Sequence, residues 1–222
     1  MSYQDLIAEL NGLAEEKFAE FQRRLIFTKS KILGVRTPAL RKLAKKYGKD
    51  IESLLSFPDE YYEVTFIKCC AVSYLDYENF LKYVERILPL IDNWATCDTF
   101  KPKCLIKRKK EFLPYLEKFF TRGGEFFERY VLVTLLSFYI EKEYFPFILK
   151  VIERADTSKY YVQTAVAWLV AEILTKYEEE GVEILSIGVL DRKTHNKAIQ
   201  KARESFRISK ENKERFNSLK IK

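Results

Sequence analysis

Two stretches of the sequence repeat one another and indicate the fold. Residues 80–87 read FLKYVERI, and residues 148–155 read ILKVIERA. The offset between their first positions is twice a period of roughly 34 residues. A period of roughly 34 residues is typical of solenoids made of helical hairpins, in which each helix pair packs on the next.

Helix-forming patterns carry this period along the chain. Apolar residues recur at helical spacing almost throughout, and β-branched runs bounded by turn residues are missing from the sequence. First helices of successive pairs are expected to begin at steps close to this period, near Glu60, Trp94, Glu125, Ser158 and Arg192. The predicted fold is therefore all-α, a stack of antiparallel helix pairs. We expect this stack to form a right-handed superhelical solenoid with a concave basic groove. A helical bundle with loosely periodic helices is the alternative.

Local signals predict where several helices begin and end. Ser2 with Asp5 resembles a capping box, and Thr37-Pro38 offers an N-cap followed by proline, with Gly48 placed to end that helix. The region before Gly34 has room for one long helix and a basic connector. Further helices are predicted over residues 60–75, 77–88, 94–106, 109–120, 125–140, 144–154 and 158–177, with two more in the basic tail. We expect one domain over residues 1–222, with an N-terminal helical segment at about 1–33 and repeats over about 34–222.

The charge of the chain is segregated. Residues 21–49 contain ten Lys or Arg and no acid, residues 101–110 contain six and no acid, and residues 191–222 carry a net +7. Because the whole chain carries only +7, the remainder sums to −16. Each stretch alone could be a solvated helix face, but the three together predict a surface that binds a polyanion.

Several classes of chemistry lack their usual residues. The seven glycines form neither a P-loop nor a dinucleotide-binding motif, so no nucleotide cofactor is expected. The single histidine, His195, lies in a basic segment, and the four cysteines form no C-x-x-C pair, which disfavours a catalytic triad and a metal site and favours buried thiols. No apolar run reaches the length of a membrane span and the N-terminus does not resemble a signal peptide, so we expect a cytoplasmic protein.

A small group of aromatic, acidic and basic residues remains as a candidate site. Trp94 and Asp98 are four residues apart and therefore share one helix face. Arg129 and Trp168 fall in the first helices of the next two repeats, so a regular stack would turn all four toward one groove. Each also has an ordinary interpretation: the tryptophans as core residues, Asp98 as a local cap or ion-pair partner, and Arg129 as a partner of Glu125.

The sequence around Gly34 resembles a known family. Residues 32–41, ILGVRTPALR, look like the G-V-R-x-P-x-L-R signature of the AlkD-type DNA alkylation repair proteins, which are built of HEAT-like repeats. Residues 94–98 resemble the W-x-x-x-D active-site helix of that family. Residues 127–129 are similar to the stretch that bears its arginine, and residues 161–168 to its tryptophan segment. The likeness spans nearly the whole chain.

The resemblance implies a monofunctional DNA glycosylase. Such enzymes hydrolyse the N-glycosidic bond of N3- or N7-alkylated purines in duplex DNA, and because the lesion is already cationic, one carboxylate can suffice. By resemblance, Asp98 stabilises the sugar cation and positions water, Trp94 and Trp168 pack against the deoxyribose and backbone, and Arg129 holds a phosphate. The basic stretches supply the expected DNA contacts, which are Arg36, Arg41, Lys101, Lys103, Lys107, Lys193, Lys197 and Lys201.

Two other functions fit the same residues. A non-catalytic module could bind damaged, bent or branched DNA through the same groove, with salt-sensitive affinity and no base release. A helical protein scaffold would require the basic stretches to be scattered over the surface. The interpretation favours the enzyme, acting as a monomer on alkylated duplex DNA with no cofactor and no membrane partner.

Overall fold

The structure, a computed structural model, describes residues 2–222 and is helical throughout. Its α-helices are α1 (Tyr3–Leu13), α2 (Glu16–Leu25), α3 (Thr37–Tyr47), α4 (Ile51–Ser56), α5 (Tyr62–Ser73), α6 (Tyr77–Ile87), α7 (Trp94–Thr99), α8 (Lys109–Arg122), α9 (Glu125–Phe138), α10 (Phe145–Arg154), α11 (Tyr160–Lys176), α12 (Glu178–Ser186), α13 (Arg192–Glu204) and α14 (Lys210–Ser218). Residues 2–222 contain no β-strand, and one isolated bridge joins Lys31 to Tyr61. The all-α prediction is confirmed.

The helices form two compact units. Unit 1 ends at Arg108 and unit 2 runs from Lys109 to Lys222. In unit 1, α5 is the central helix, with every residue buried, and it packs against α3, α4, α6 and α7. In unit 2, α11 packs against α9, α12 and α13. The prediction of one domain over residues 1–222 stays a prediction.

The repeat predicted from the sequence is present in the helix order. The first helices α5, α7, α9, α11 and α13 begin at nearly even steps, at Tyr62, Trp94, Glu125, Tyr160 and Arg192. Within each unit they pack in succession, α5 against α7 and α9 against α11 and then α13, and the pairs α5–α6, α11–α12 and α13–α14 are also in contact. These contacts are those of an all-α solenoid built of helix pairs. The handedness and the concave groove stay predictions.

Three local predictions need correction. The N-terminal region forms two helices rather than one, because the Glu15 amide donates to the carbonyl of Gly34 (3.1 Å) and α2 begins at the next residue. The helix predicted over residues 94–106 ends at Thr99, since Pro102 follows and residues 103–107 form a 3₁₀ turn.

The start of α3 is the third correction. Arg36, not Thr37, is the N-cap residue, Pro38 lies in the first turn and Gly48 caps the C-terminus as expected. The Ser2–Asp5 capping box is confirmed. The remaining predicted helices are confirmed to within a few residues at each end. In the described part of the chain, no helix combines the length and hydrophobicity that a membrane span requires.

Candidate nucleic-acid interface

Trp94 opens α7 and is held from two sides. The side chain of Asn93, which is buried, caps the helix by accepting from the Thr96 amide at 2.9 Å. The Trp94 indole Nε1 donates to the carbonyl of Leu25 at 2.9 Å, and the half-buried ring packs against the core of unit 1. Trp94 therefore joins α7 to the end of α2.

Asp98 lies one turn further along α7, on the wall of a cationic cleft. The cleft has a volume of about 660 Å³ and the carboxylate is partly exposed. Five cations line the same cleft, namely Arg41, Lys42, Lys45, Lys101 and Lys103. Within residues 2–222, none of these five forms a salt bridge. We call this group with Asp98 the Asp98 cleft.

A second cavity of about 840 Å³ adjoins the Asp98 cleft and shares Lys45, Lys101 and Lys103 with it. Its further cations are Lys49 and Lys107, and its apolar lining includes Leu75 and Ile106. Cys104 also lines this cavity and is half-buried, whereas Cys69, Cys70 and Cys97 are buried. Burial raises the pKa of the Cys104 thiol to about 11.

The unit 1 residues predicted to contact DNA lie in two places. Arg41, Lys101 and Lys103 line the Asp98 cleft and Lys107 lines the adjoining cavity. Arg36 lines neither cavity, and its guanidinium is bound to both carboxylate oxygens of Glu15 at 3.0 and 2.8 Å and stacked over Phe18. The hydrogen bonds to Glu15 raise the pKa of Arg36.

Three cations of this region were not predicted from the sequence. Lys42, Lys45 and Lys49 line the cleft or the adjoining cavity. Arg41, Lys45 and Lys49 are spaced four apart, which places them on one side of α3 and its continuation. That spacing was the available signal for Lys45 and Lys49.

In unit 2, Arg129 and Trp168 are in direct contact. Arg129 is 2% exposed, and its Nη1 donates to the carbonyl of Tyr161 (2.7 Å) and to Oγ1 of Thr164 (3.0 Å). The guanidinium carbon lies 5.4 Å from the Trp168 ring centroid and 5.7 Å from that of Tyr161. This contact is a cation–π interaction in a largely dry environment.

The exposed side of Trp168 lines a small cleft of about 230 Å³ with Lys201, Arg207 and Glu172. Arg207 is held by an ion pair to Glu172, which raises its pKa. The Lys197 ammonium lies 4.8 Å from the centroid of the Tyr160 ring and donates a hydrogen bond to the side chain of Gln163. The pKa of Lys197 is lowered, mainly by burial and also by the nearby charge of Lys201. Lys201 pairs with Glu204, and Lys193 is exposed in the first turn of α13.

Of the four candidate catalytic residues, Trp94 and Asp98 lie on α7 in unit 1, and Arg129 and Trp168 lie on α9 and α11 in unit 2. Comparison with protein families adds the decisive observation. A family model described as "DNA alkylation repair enzyme" matches residues 6–205. The chain belongs to the DNA alkylation repair enzyme family. A search of curated proteins found no match. Membership implies a role in the repair of alkylated DNA and an interaction with DNA.

In this DNA alkylation repair protein, a buried carboxylate supports residues 32–41, which we call the Gly34 motif. Glu63 on α5 is fully buried and accepts hydrogen bonds from the amides of Leu33 (3.1 Å), Gly34 (2.9 Å) and Val35 (3.4 Å). These bonds fix the backbone just before α3, the helix that carries Arg41. Sequence reasoning missed Glu63, because nothing local to α5 marks a carboxylate that serves a motif so far away along the chain.

Proposed function

We propose that this protein is a monofunctional DNA glycosylase that hydrolyses the N-glycosidic bond of cationic N3- or N7-alkylated purines in duplex DNA. The bond between C1′ and the base nitrogen breaks, and its electron pair neutralises the positive charge of the base. Water adds to C1′ and loses a proton, which leaves an abasic site. We expect a monomer that needs no cofactor.

The observation that carries the proposal is a partly exposed carboxylate, Asp98, among five cations. The cations can bind the phosphates on either side of a lesion. The carboxylate can then stabilise the positive charge that develops on the sugar and orient the attacking water. A repair-family chain with this arrangement has the groups that the reaction of a cationic base requires.

The other candidate residues receive roles that agree with their contacts. The Trp94 indole is hydrogen bonded to the Leu25 carbonyl, so we propose that Trp94 positions the start of α7 and offers one face of its ring to the DNA. Trp168 lines a cleft with Lys201 and is the proposed contact to the deoxyribose or backbone. Arg129, being buried against Trp168, is proposed to position that ring, in place of the phosphate contact that the resemblance implied.

Replacement of the carboxylate by its isosteric amide tests the proposal. Asp98→Asn should lower base release from duplex DNA containing 7-methylguanine by about 100-fold or more. DNA affinity should stay the same or rise, because a negative charge leaves a cationic cleft. Glu20→Gln, an equal charge change at an exposed position of α2, is the matched control and should behave as wild type. Full base release by Asp98→Asn would overturn the catalytic role.

Two contacts favour a second candidate, a non-catalytic module that binds damaged DNA. The Trp94 indole is engaged with Leu25, and the Arg129 guanidinium is bonded within unit 2, so both serve the fold as well as a ligand. This candidate predicts salt-sensitive DNA binding without base release by the wild-type chain. The same base-release assay therefore separates the two functions.

A further inference from the structure

The segment between α2 and the Gly34 motif alternates between anchored and exposed residues. In residues 26–31, which we call the Phe27 loop, Ile26 is buried and Thr28 and Ser30 are half-buried. Between them Phe27 is 70% exposed, and the next two alternate positions, Lys29 and Lys31, are exposed cations. The loop thus turns one aromatic ring and two positive charges to solvent.

Hydrogen bonds hold this loop in place along its length. Thr28 Oγ1 donates to the Asp92 carboxylate at 2.9 Å, and the Lys29 amide donates to the same carboxylate at 2.8 Å. The Ser30 hydroxyl donates to the carbonyl of Asp59 at 2.9 Å. Lys31 closes the loop by exchanging backbone hydrogen bonds with the chain at residues 60 and 62. An exposed ring on so firmly held a loop is pre-organised for binding.

The same anchors connect the Phe27 loop to the candidate active-site helix. Asp92 lies two residues before Trp94, and the Trp94 indole binds the carbonyl of Leu25, two residues before Phe27. Phe27 is therefore bracketed by contacts to the segment that begins α7. Asp98 is one helical turn further on, about 6 Å along the helix axis.

We propose that Phe27 stacks on an unpaired or displaced base of DNA bound to unit 1, while Lys29 and Lys31 contact the neighbouring phosphates. The proposal rests on DNA binding by unit 1, and it does not require that the bond be cut. An aromatic ring combined with cations is the arrangement by which proteins hold unstacked bases. Asp92 and Trp94 serve as positioning residues for this contact.

Charge favours a nucleic acid over a protein partner at this loop. Residues 21–49 contain ten cations and no acid. Two of these cations, Lys29 and Lys31, are exposed on the loop that carries the ring, so the loop favours a polyanion. Phe21, the other exposed ring of the stretch, differs because it lies on α2 and stacks on Phe18 with centroids 6.2 Å apart. It therefore provides a matched control.

The test measures binding of the full chain to two duplexes that offer no bond to cleave. One is intact, and the other carries a tetrahydrofuran abasic analogue opposite 2-aminopurine, whose fluorescence falls when the base stacks. Phe27→Ala should weaken binding to the abasic duplex by about tenfold and abolish the protein-induced quenching. Phe27→Trp should keep both the affinity for the abasic duplex and the quenching. Phe21→Ala should match wild type in both measurements. The wild type and all three variants should bind the intact duplex almost equally.

Several outcomes would overturn the proposal. One is unchanged affinity and quenching in Phe27→Ala, and another is an equal loss of affinity on both duplexes. Asp92→Ala, with folding verified by circular dichroism, should lower quenching although Phe27 is still present, and full quenching in that variant would contradict the positioning role. Because neither duplex is a substrate, the result does not depend on base release. Failure of the Phe27 stacking proposal can therefore be distinguished from failure of the proposed glycosylase activity.

Discussion

At the residue scale, the Asp98 cleft combines opposite charges, to which the proposed function assigns different partners. The five cations suit phosphates, whereas the single carboxylate suits a cation that exists only at the lesion and in the transition state. Trp94 and Asp98 could be paired from sequence, because a spacing of four positions makes about one helical turn. The cations that line the cleft with Asp98 could be predicted only in part, because they come from α3 and from residues 101–103, two segments that tertiary packing brings together.

The Gly34 motif offers a residue-scale prediction about stability. Gly34 has φ of 86°, and a Cβ there would lie 2.5 Å from the carbonyl oxygen of Glu15. Gly34→Ala should therefore lower the free energy of unfolding by at least about 2 kcal/mol. Gly12→Ala is the control, because a Cβ on this α1 residue meets nothing within 4 Å, and it should raise stability by about 0.5–1 kcal/mol.

Urea unfolding followed by circular dichroism measures both free energies. Equal stability of Gly34→Ala and wild type would show that α2 and the motif do not pack as closely as the Glu15–Gly34 contact indicates.

At the element scale, helices with strong caps and clear periodicity were predictable and short or irregular ones were not. α4 has only six residues and begins at Ile51, after the N-cap Asp50, whose side chain accepts from the Ser53 amide, so too few apolar positions define its period. α12 contains Gly181, a residue that normally disfavours helix. A Cβ there would lie 2.7 Å from the Leu174 Cα, so glycine permits α12 to pack closely on α11. The reason for a glycine at this position is therefore a tertiary contact, which the sequence of α12 alone does not reveal.

The 3₁₀ turn over residues 103–107 gives an element-scale prediction through Cys104. Because the pKa of this thiol is raised to about 11, labelling by iodoacetamide should be slow at pH 7 and accelerate as the pH rises toward 11 and the thiolate forms. Cys104 lines the cavity beside the Asp98 cleft, so saturating duplex DNA should slow labelling several-fold.

The labelling reaction is run at pH 9, and mass spectrometry of the labelled chain then identifies the modified cysteine. The buried Cys69, Cys70 and Cys97 serve as internal controls and should stay unlabelled in the folded protein. Labelling of Cys104 at the same rate with and without bound DNA would place the DNA elsewhere.

At the scale of the whole molecule, the cations fall into two groups, those that form ion pairs with glutamates and those that line the Asp98 cleft. Many cations outside the Asp98 cleft pair with glutamates about one repeat away, and examples are Arg86–Glu52, Lys150–Glu117, Arg154–Glu117, Lys159–Glu128 and Arg207–Glu172. Apart from Lys159–Glu128, whose glutamate is buried, these pairs are at least partly exposed and contribute little stability each, but all of them neutralise acidic charge inside the repeats. The sequence revealed three basic stretches, and the structure separates their paired members from those that line the cleft.

This division predicts which lysines control the salt dependence of DNA binding. Lys101→Gln with Lys103→Gln should reduce the slope of log affinity against log salt concentration by about 2, since each lysine that meets a phosphate contributes about 0.9. Lys17→Gln with Lys82→Gln removes equal charge from exposed positions of α2 and α6 and should leave the slope nearly unchanged. Fluorescence anisotropy from about 50 to about 200 mM salt measures the slopes, and equal slopes for both double variants would contradict the assignment of the cleft.

Loss of an alkylated base from DNA held at the Asp98 cleft can be tested directly. Duplex DNA containing 7-methylguanine is incubated with the full chain, and free base is quantified by liquid chromatography and mass spectrometry against the same DNA without protein. We expect release well above the spontaneous rate, with an equal yield of abasic sites. Release at the spontaneous rate, by protein shown to bind the same duplex, would contradict this expectation.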